Sequence, residues 1–325
     1  MLNVQLTLAD SEFPKQFQLG EVLEEVSWET SLLDQPGKLT FSVLDNMPEM
    51  FFEGSNVVLT VEGTKVFDGY VFTRKRTEKD TMSVTAYDRL RYLQNKDVYV
   101  FENATPEEIF TKICKDHQLP YRIVSGSKYK TSPVVHDNKT LYSMIIRALD
   151  EAFIANGIYL MIRDNVGTLE LVDIATLTTK LLIGDASLLT GFDFESSIDS
   201  ETYNYIKLTQ ENKSRKVRNV YVVKDSSTIN KWGRLQYYEK MDADANEAQI
   251  KEKANQLLKL YNRKTKSLKI DCLGDVRISA GCGVGLEIGK LSVEGVPQRQ
   301  FVFVSKASHK ISKEEYTMSL TLEVV

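Results

Sequence analysis

The stretch SAGCGVGLEIG, Ser279–Gly289, decides the fold, because its glycines can be read as a phosphate cradle or as the entry to a strand. A dinucleotide loop needs GxGxxG at a strand-to-helix turn, where glycines permit close approach and the helix N-terminus faces the pyrophosphate. Gly281, Gly283 and Gly285 are instead followed by LEIGKLSVEG, which alternates and does not propagate a helix, and there is no P-loop GK(S/T) element. These glycines are therefore read as turns or bulges entering a strand.

An earlier stretch has the same layout. In FFEGSNVVLTV, Phe51–Val61, Gly54 precedes Val57, Leu59 and Val61, as Gly281 precedes Val284, Leu286 and Ile288. Each run leads to a strand containing VFT or VFV and then to TMSVT (Thr81–Thr85) or TMSLT (Thr317–Thr321), with about nine extra residues across the second hairpin. The shared order predicts an internal duplication.

Outward from the first copy, VQLTL, VLEEVSW, KLTFSVL, NVVLTVE, KVFDGYVFT and MSVTAY alternate with period two between Val4 and Tyr87. Six short strands with turn residues between them predict a small antiparallel barrel or sandwich. The pattern changes at YDRLRYLQNKDV. A helix follows, with Thr105 as cap, Pro106 in first position, Glu108 closing a capping box, and Ile109, Phe110, Ile113 and Cys114 as its apolar face.

A second helix aligns Leu141, Ile145, Ala148, Leu149, Ala152 and Phe153 and stops at Gly157. Strands IYLMIRD and TLELVD complete an α/β unit to about Asp173. Strand signals return at FDFESSI, YNYIKLTQ and VRNVYVVK. A third helix then starts near Asp244 or Asn246, with Ile250, Ala254, Leu257, Leu258 and Tyr261 aligned, and four more strands finish the chain. The expected fold class is α+β and β-rich: two similar small antiparallel β-barrels, over 1–95 and 191–325, an inserted α/β domain over 96–190, and a helical excursion near 226–264 in the second barrel.

The composition narrows the function. A chain of 325 residues, 42% apolar and 26% charged, buries substantial cores in two or three domains. The most apolar segment, LYSMIIRALDEAFIANGIYLMI, is broken by Arg147, Asp150 and Glu151, each costing a few kcal/mol in a bilayer, so no membrane span is expected. The N-terminus has no signal-peptide pattern, which points to the cytoplasm. Cys114, Cys272 and Cys282 are expected reduced and buried. Forty-one basic against 45 acidic residues create no global field. The basic clusters TRKRTEK, NKSRKVRN and NRKTKSLK are read as soluble hairpin tips, and no specific nucleic acid binding is expected.

Reactive constellations are weak. His117, His136 and His309 sit in no catalytic motif, and no GxSxG elbow occurs. Cys114 and His117 could face one metal but have no further ligands of suitable spacing. Glu24, Glu25, Glu314 and Glu315 could pair for glycan cleavage, yet acidic pairs on turns are usually solvated. Trp28 and Trp232 are read as core or interface packing. No catalytic, cofactor-binding or metal residue, and no cofactor, is expected.

From AYDRLRYLQNKDVYVFENATPEEIFTKIC onward the chain resembles the XkdQ-like hub proteins of PBSX-type phage tails, distantly related to late control gene D proteins. DNKTLYSMIIRALDEAF, GDASLLTGFDFESSIDSETYN, SSTINKWGRLQYYEKMDADANEAQIKEKANQLL and LGDVRISAGCGVGLEI carry the resemblance, which covers nearly the whole chain. GCGVG departs from it, where a more polar turn fits the pattern. The resemblance implies a contractile-tail baseplate hub, made in the bacterial host cytoplasm, in which a homotrimer joins a sixfold tail tube to a threefold spike. Its implied partners are the tail tube protein or a tube initiator, the spike protein, other baseplate proteins and a tape measure protein. Two tube-like barrels per chain would let three chains present six similar faces. The competing readings are a tail-associated cell-wall-degrading enzyme, which requires a reactive cleft, and a tail-tip carbohydrate binder, which requires exposed aromatics in a groove.

Overall fold

Alternating burial organises the first strands. The computed structural model describes residues 2–9, 17–18, 25–33, 35–44, 53–76, 78, 81–199, 201–212, 217–241, 246–312 and 314–323. Within them β1 (Val4–Ala9), β2 (Phe17–Gln18), β3 (Val26–Ser31), β4 (Lys38–Leu44), β5 (Asn56–Val61), β6 (Thr64–Arg76) and β7 (Thr81–Tyr87) form the first module. Every second residue points inward, so Leu6, Leu8, Val26, Trp28, Leu39, Phe41, Val57, Leu59, Val84 and Ala86 meet in one core. The neighbours run β3-β4-β7-β6-β5-β1-β2, all antiparallel.

Asp88 then caps a 3-10 turn over Arg89–Gln94 and the chain enters the α/β part. This comprises β8 (Lys96–Phe101), α1 (Pro106–Asp116), β9 (Tyr121–Ile123), β10 (Val134–Thr140), α2 (Leu141–Asn156), β11 (Leu160–Asp164) and β12 (Leu169–Asp173). Helix α1 has the expected start: Thr105 Oγ1 accepts from the Glu108 N–H, and Glu108 accepts from the Thr105 N–H. Helix α2 ends at Gly157, whose φ of 73° is left-handed. Phe153 is not part of the buried stripe. It lies in the last turn, 46% exposed and beside the Tyr159 ring, while Tyr142 and Met144 join the core instead. Strands β11, β12 and β9 form one sheet, with the short β9 parallel to β12, and β8 pairs with β10.

The next strand reads differently from the sequence. β13 (Thr178–Gly184), expected inside the α/β domain, pairs with the glycine-rich strand near the C-terminus and so opens the second module upstream of residue 191. β14 (Leu189–Ser197) comes next. The chain divides into two compact units, 1–193 with 269–324, and 194–268. The second contains β15 (Tyr205–Asn212), β16 (Val217–Lys224), α3 (Ser226–Trp232), β17 (Gln236–Met241) and α4 (Glu247–Tyr261). YNYIKLTQ and VRNVYVVK, expected in the second barrel, thus build a separate sheet, β16-β15-β17. Its apolar face needs its own cover, and α4 supplies it with Ile250 and Ala254 against Ile206 and Leu208. Asn246 caps α4, as one of the two expected starts.

The chain returns through β18 (Thr265–Leu273), β19 (Gly283–Glu287), β20 (Arg299–Ile311) and β21 (Tyr316–Glu323). The second module runs β14-β18-β21-β20-β19-β13, which is the first module's β3-β4-β7-β6-β5-β1 strand for strand. The match extends to single hydrogen bonds. Gly54 N donates to Val71 O at 2.8 Å and Val71 N to Ser55 O at 3.0 Å; Gly281 N donates to Val304 O at 2.8 Å and Val304 N to Cys282 O at 2.9 Å. Both glycines are left-handed, at φ 94° and 87°. A register shift follows in each, after Val71 and after Val304, and beyond it Arg76 faces Met82 as His309 faces Met318. The equivalence of TMSVT and TMSLT holds, whereas VFT and VFV are offset by two positions because Val71 matches Val304. The modules differ at one pair: β1 is antiparallel to β5, but β13 is parallel to β19. Beyond β19 the chain makes a 3-10 turn over Gly289–Glu294, which the alternating reading of LEIGKLSVEG did not include.

Candidate assembly surface

The two modules share a seam. The second half of β20 pairs antiparallel with β3, from Lys306 opposite Ser31 to Ile311 opposite Val26, so one sheet crosses from module to module. Leu32 N donates to Ser305 O at 2.8 Å and Ala280 N donates to Thr30 Oγ1 at 2.9 Å. Lys306 Nζ reaches Glu29 Oε2 at 3.2 Å across the seam. Inside it, Trp28 stacks on His309 with ring centroids 4.5 Å apart. His309 is fully buried; its Nε2 donates to Ile278 O at 3.0 Å, which leaves Nδ1 to accept from Tyr316 Oη at 3.0 Å. Both ring nitrogens are used by the neutral form, and burial pushes the pKa of His309 down to about 4.

Along β6 the side that β20 gives to β3 has no partner strand beyond Val71 among the described residues. β14, the counterpart of β3, is a terminal strand of the sheet among those residues. β6 and β20 thus occupy equivalent places in the two modules, as do β3 and β14.

A hydrolase would need a cleft with carboxylates free to act. Asp88 and Asp164 line a recess with Asp68, Arg163 and Trp28, a grouping no local motif announced because the residues are far apart in sequence. Their oxygens are engaged by the main chain: Asp88 accepts from Gly37 N at 2.8 Å and Leu90 N at 3.0 Å, and Asp164 from Arg89 N at 2.9 Å and Gly167 N at 2.5 Å. Arg89 Nη1 pairs with Asp68 at 3.1 Å. Burial, and then the Asp164 charge, hold Asp88 well above the usual carboxylate range, and burial raises Asp164 too. The cluster fastens the crossing out of β7, each oxygen of Asp88 and Asp164 accepting one main-chain N–H. Glu170, fully buried, is likewise enclosed by Arg122, Arg163 and Asn165.

The candidates singled out by sequence do not converge. Cys114 is fully buried with its thiol pushed up to about 12, and His117 Nε2 lies 3.5 Å from Asp97 rather than at a metal site. Among the described residues no group of three or more His, Cys, Asp or Glu is arranged to hold a metal ion. His136 is buried beside Phe101. Glu25, Glu314 and Glu315 are exposed, and Glu24 lies outside the described residues. Trp232 is half-buried at the end of α3. No helix among the described residues is long and apolar enough to cross a membrane.

The model of the YQBQ-like family matches residues 26–323. The phage-like element PBSX protein XkdQ of Bacillus subtilis is 28% identical over 312 residues, 94% of this chain and 92% of that protein. In fold, the chain is similar to the 43 kDa tail protein of prophage MuSo2 from Shewanella oneidensis, with a TM-score of 0.72 at 10% identity, covering 98% of each chain. It is also similar to the E. coli c3393 protein, described as a type VI secretion component resembling the T4 tail proteins gp27 and gp5. There the TM-score is 0.57 at 12% identity, over all of this chain and 77% of that one.

Proposed function

The chain belongs to the YQBQ-like family, and we propose that it is a structural baseplate hub of a contractile phage tail or tail-like particle. Three copies form a ring of six modules that joins a sixfold tail tube to a threefold spike. The phage-like element named for the relative and the tail protein named for the fold neighbour support a tail role. The observation that carries the finer reading is the duplicated strand order, with the two modules already joined edge to edge by β20 and β3. A sixfold partner can be matched by three chains when each supplies two similar modules. The partners are then a second copy of this chain, the tube protein or its initiator, the spike, other baseplate proteins and a tape measure protein. A structural rather than enzymatic role is supported by the carboxylates that gather in a recess, which accept from main-chain N–H groups.

Cryo-electron microscopy of the assembled particle, with the chain located by a small C-terminal tag, tests this. Three tags around the axis are expected; six tags, or a location away from the tube's end, would overturn the reading.

A further inference from the structure

We infer that a recess on the sheet that crosses the seam is a binding site for a compact polyanion, a group carrying more than one carboxylate or phosphate charge. The site lies within one chain and does not depend on the ring. The recess holds about 290 Å³ and is walled by β3, β4, β20, Tyr87 at the end of β7 and the 3-10 turn over Arg89–Gln94. Strand register sets its charged groups side by side. Lys38 lies opposite Glu29 on one flank and opposite Tyr87 on the other. Lys306 enters from β20, opposite Ser31, and Arg91 comes from the 3-10 turn.

Polar groups in this recess lack the partners that the carboxylate recess supplies to its own. Glu29 gives its carboxylate to Lys306 at 3.2 Å, which leaves Lys38 without a counter-ion among the described residues. The Arg91 guanidinium lies 5.4 Å from the centre of the Phe72 ring, a stacking that keeps its in-plane N–H donors free for a ligand. Gln94 and the Tyr87 hydroxyl also line the recess, and neither side chain has a hydrogen-bond partner among the described residues. Three cations against one carboxylate leave excess positive charge in a concave, half-buried place, where the field of the cations is concentrated. An arginine fork beside a lysine ammonium reads carboxylate or phosphate oxygens. The volume is at the small end of ligand pockets, roughly 300–1,000 Å³, so the guest is a small acid or the tip of an acidic chain segment.

Isothermal titration calorimetry of the full chain at constant ionic strength tests the site. Citrate and pyrophosphate are the probes for a free small acid, and a short peptide with adjacent glutamates is the probe for an acidic chain segment. Expected is saturable binding of at least one probe, with a rise in melting temperature because only the folded chain assembles these walls. The tighter probe identifies the source of the anion. Lys38→Gln and Arg91→Gln should each weaken binding about tenfold or more, the loss of one charge-assisted contact, while Lys38→Arg should retain it. Glu29→Gln removes the opposing carboxylate and releases Lys306 toward the guest, so it should tighten binding several-fold. Heats no larger than dilution for every probe overturn the site, as does binding that Lys38→Gln and Arg91→Gln leave unchanged. Should those two variants melt well below the parent chain, Glu29→Gln decides: binding no tighter than the parent's then overturns the site.

Discussion

β6 and β20 trace the same path through equivalent modules, yet their second halves meet different surroundings. In β20, Lys306–Ile311 lies against β3, and His309 is sealed under Trp28. In β6 the residue equivalent to His309 is Arg76, which is exposed within the charged run Arg74-Lys75-Arg76. The backbone course, bulge and pairing with the next strand are common to both, so the difference in residue type follows the neighbour on the last edge and not the fold. Charged side chains on an edge strand also discourage indiscriminate pairing.

The comparison can be strained at equivalent positions. Leu59 and Leu286 occupy matching core sites and are both essentially fully buried, so Leu59→Ala and Leu286→Ala should each cost about 2–5 kcal/mol in urea unfolding. Costs that differ by several kcal/mol would break the equivalence of the two cores. The next largest effect should be the seam's response to acid. His309 binds its proton at about pH 4 when folded and near 6.5 when unfolded, so the unfolded chain holds more protons between those values. Its contribution, about 3 kcal/mol, is fully present above pH 6.5 and is lost as the pH falls toward 4. Asp88 and Asp164, whose pKa values are raised, act in the opposite sense and favour the folded state at the acid end. His309→Gln should therefore flatten the loss of stability between pH 6.5 and 4, while Arg76→Gln should leave it as it is.

Smaller effects separate the two turns. Gly54→Ala and Gly281→Ala each force an L-residue to a left-handed φ, at about 1–2 kcal/mol. A Cβ on Gly54 meets nothing within 4 Å, whereas one on Gly281 comes 2.3 Å from Met161 Sδ, so the second change should lower the melting temperature further, by the equivalent of about 1 kcal/mol. Least of all, Lys306→Ala removes a half-exposed ion pair to Glu29 and should cost under about 1 kcal/mol, an effect that vanishes in high salt.

Much of this was legible because it is local. Thr105 with Glu108, Asn246, and Gly157 mark helix ends through bonds that span three or four residues, and each is where the sequence indicates. The repeat could be seen in TMSVT and TMSLT because a buried face imposes period two on both. The offset of VFT against VFV escaped because the modules differ in hairpin length on both sides of that strand. β13 was missed for a different reason: its partner is the parallel β19, a hundred residues away, and Thr178–Gly184 has no alternation to announce it. The separate sheet of β15–β17 was hidden because a strand pattern states that a face is buried, but not against what. Short α3, capped by Asp225, has no buried residue and so no periodicity to detect. The site was the least legible part, since a seam made of main-chain edges leaves almost no trace in side chains.

The presence of both modules in one chain, paired through β20 and β3, also fixes an arithmetic. Any closed ring built from this chain contains an even number of modules, so five- and seven-membered errors, which separate modules could make through a small change of angle, are excluded by connectivity. In the proposed ring, three chains come together in two association steps where six free modules would need five, and every step avoided spares the loss of translational and rotational freedom, about 4–15 kcal/mol, that free modules would incur. Linking two copies in tandem thus acts as a counting device for assembly as well as a shape.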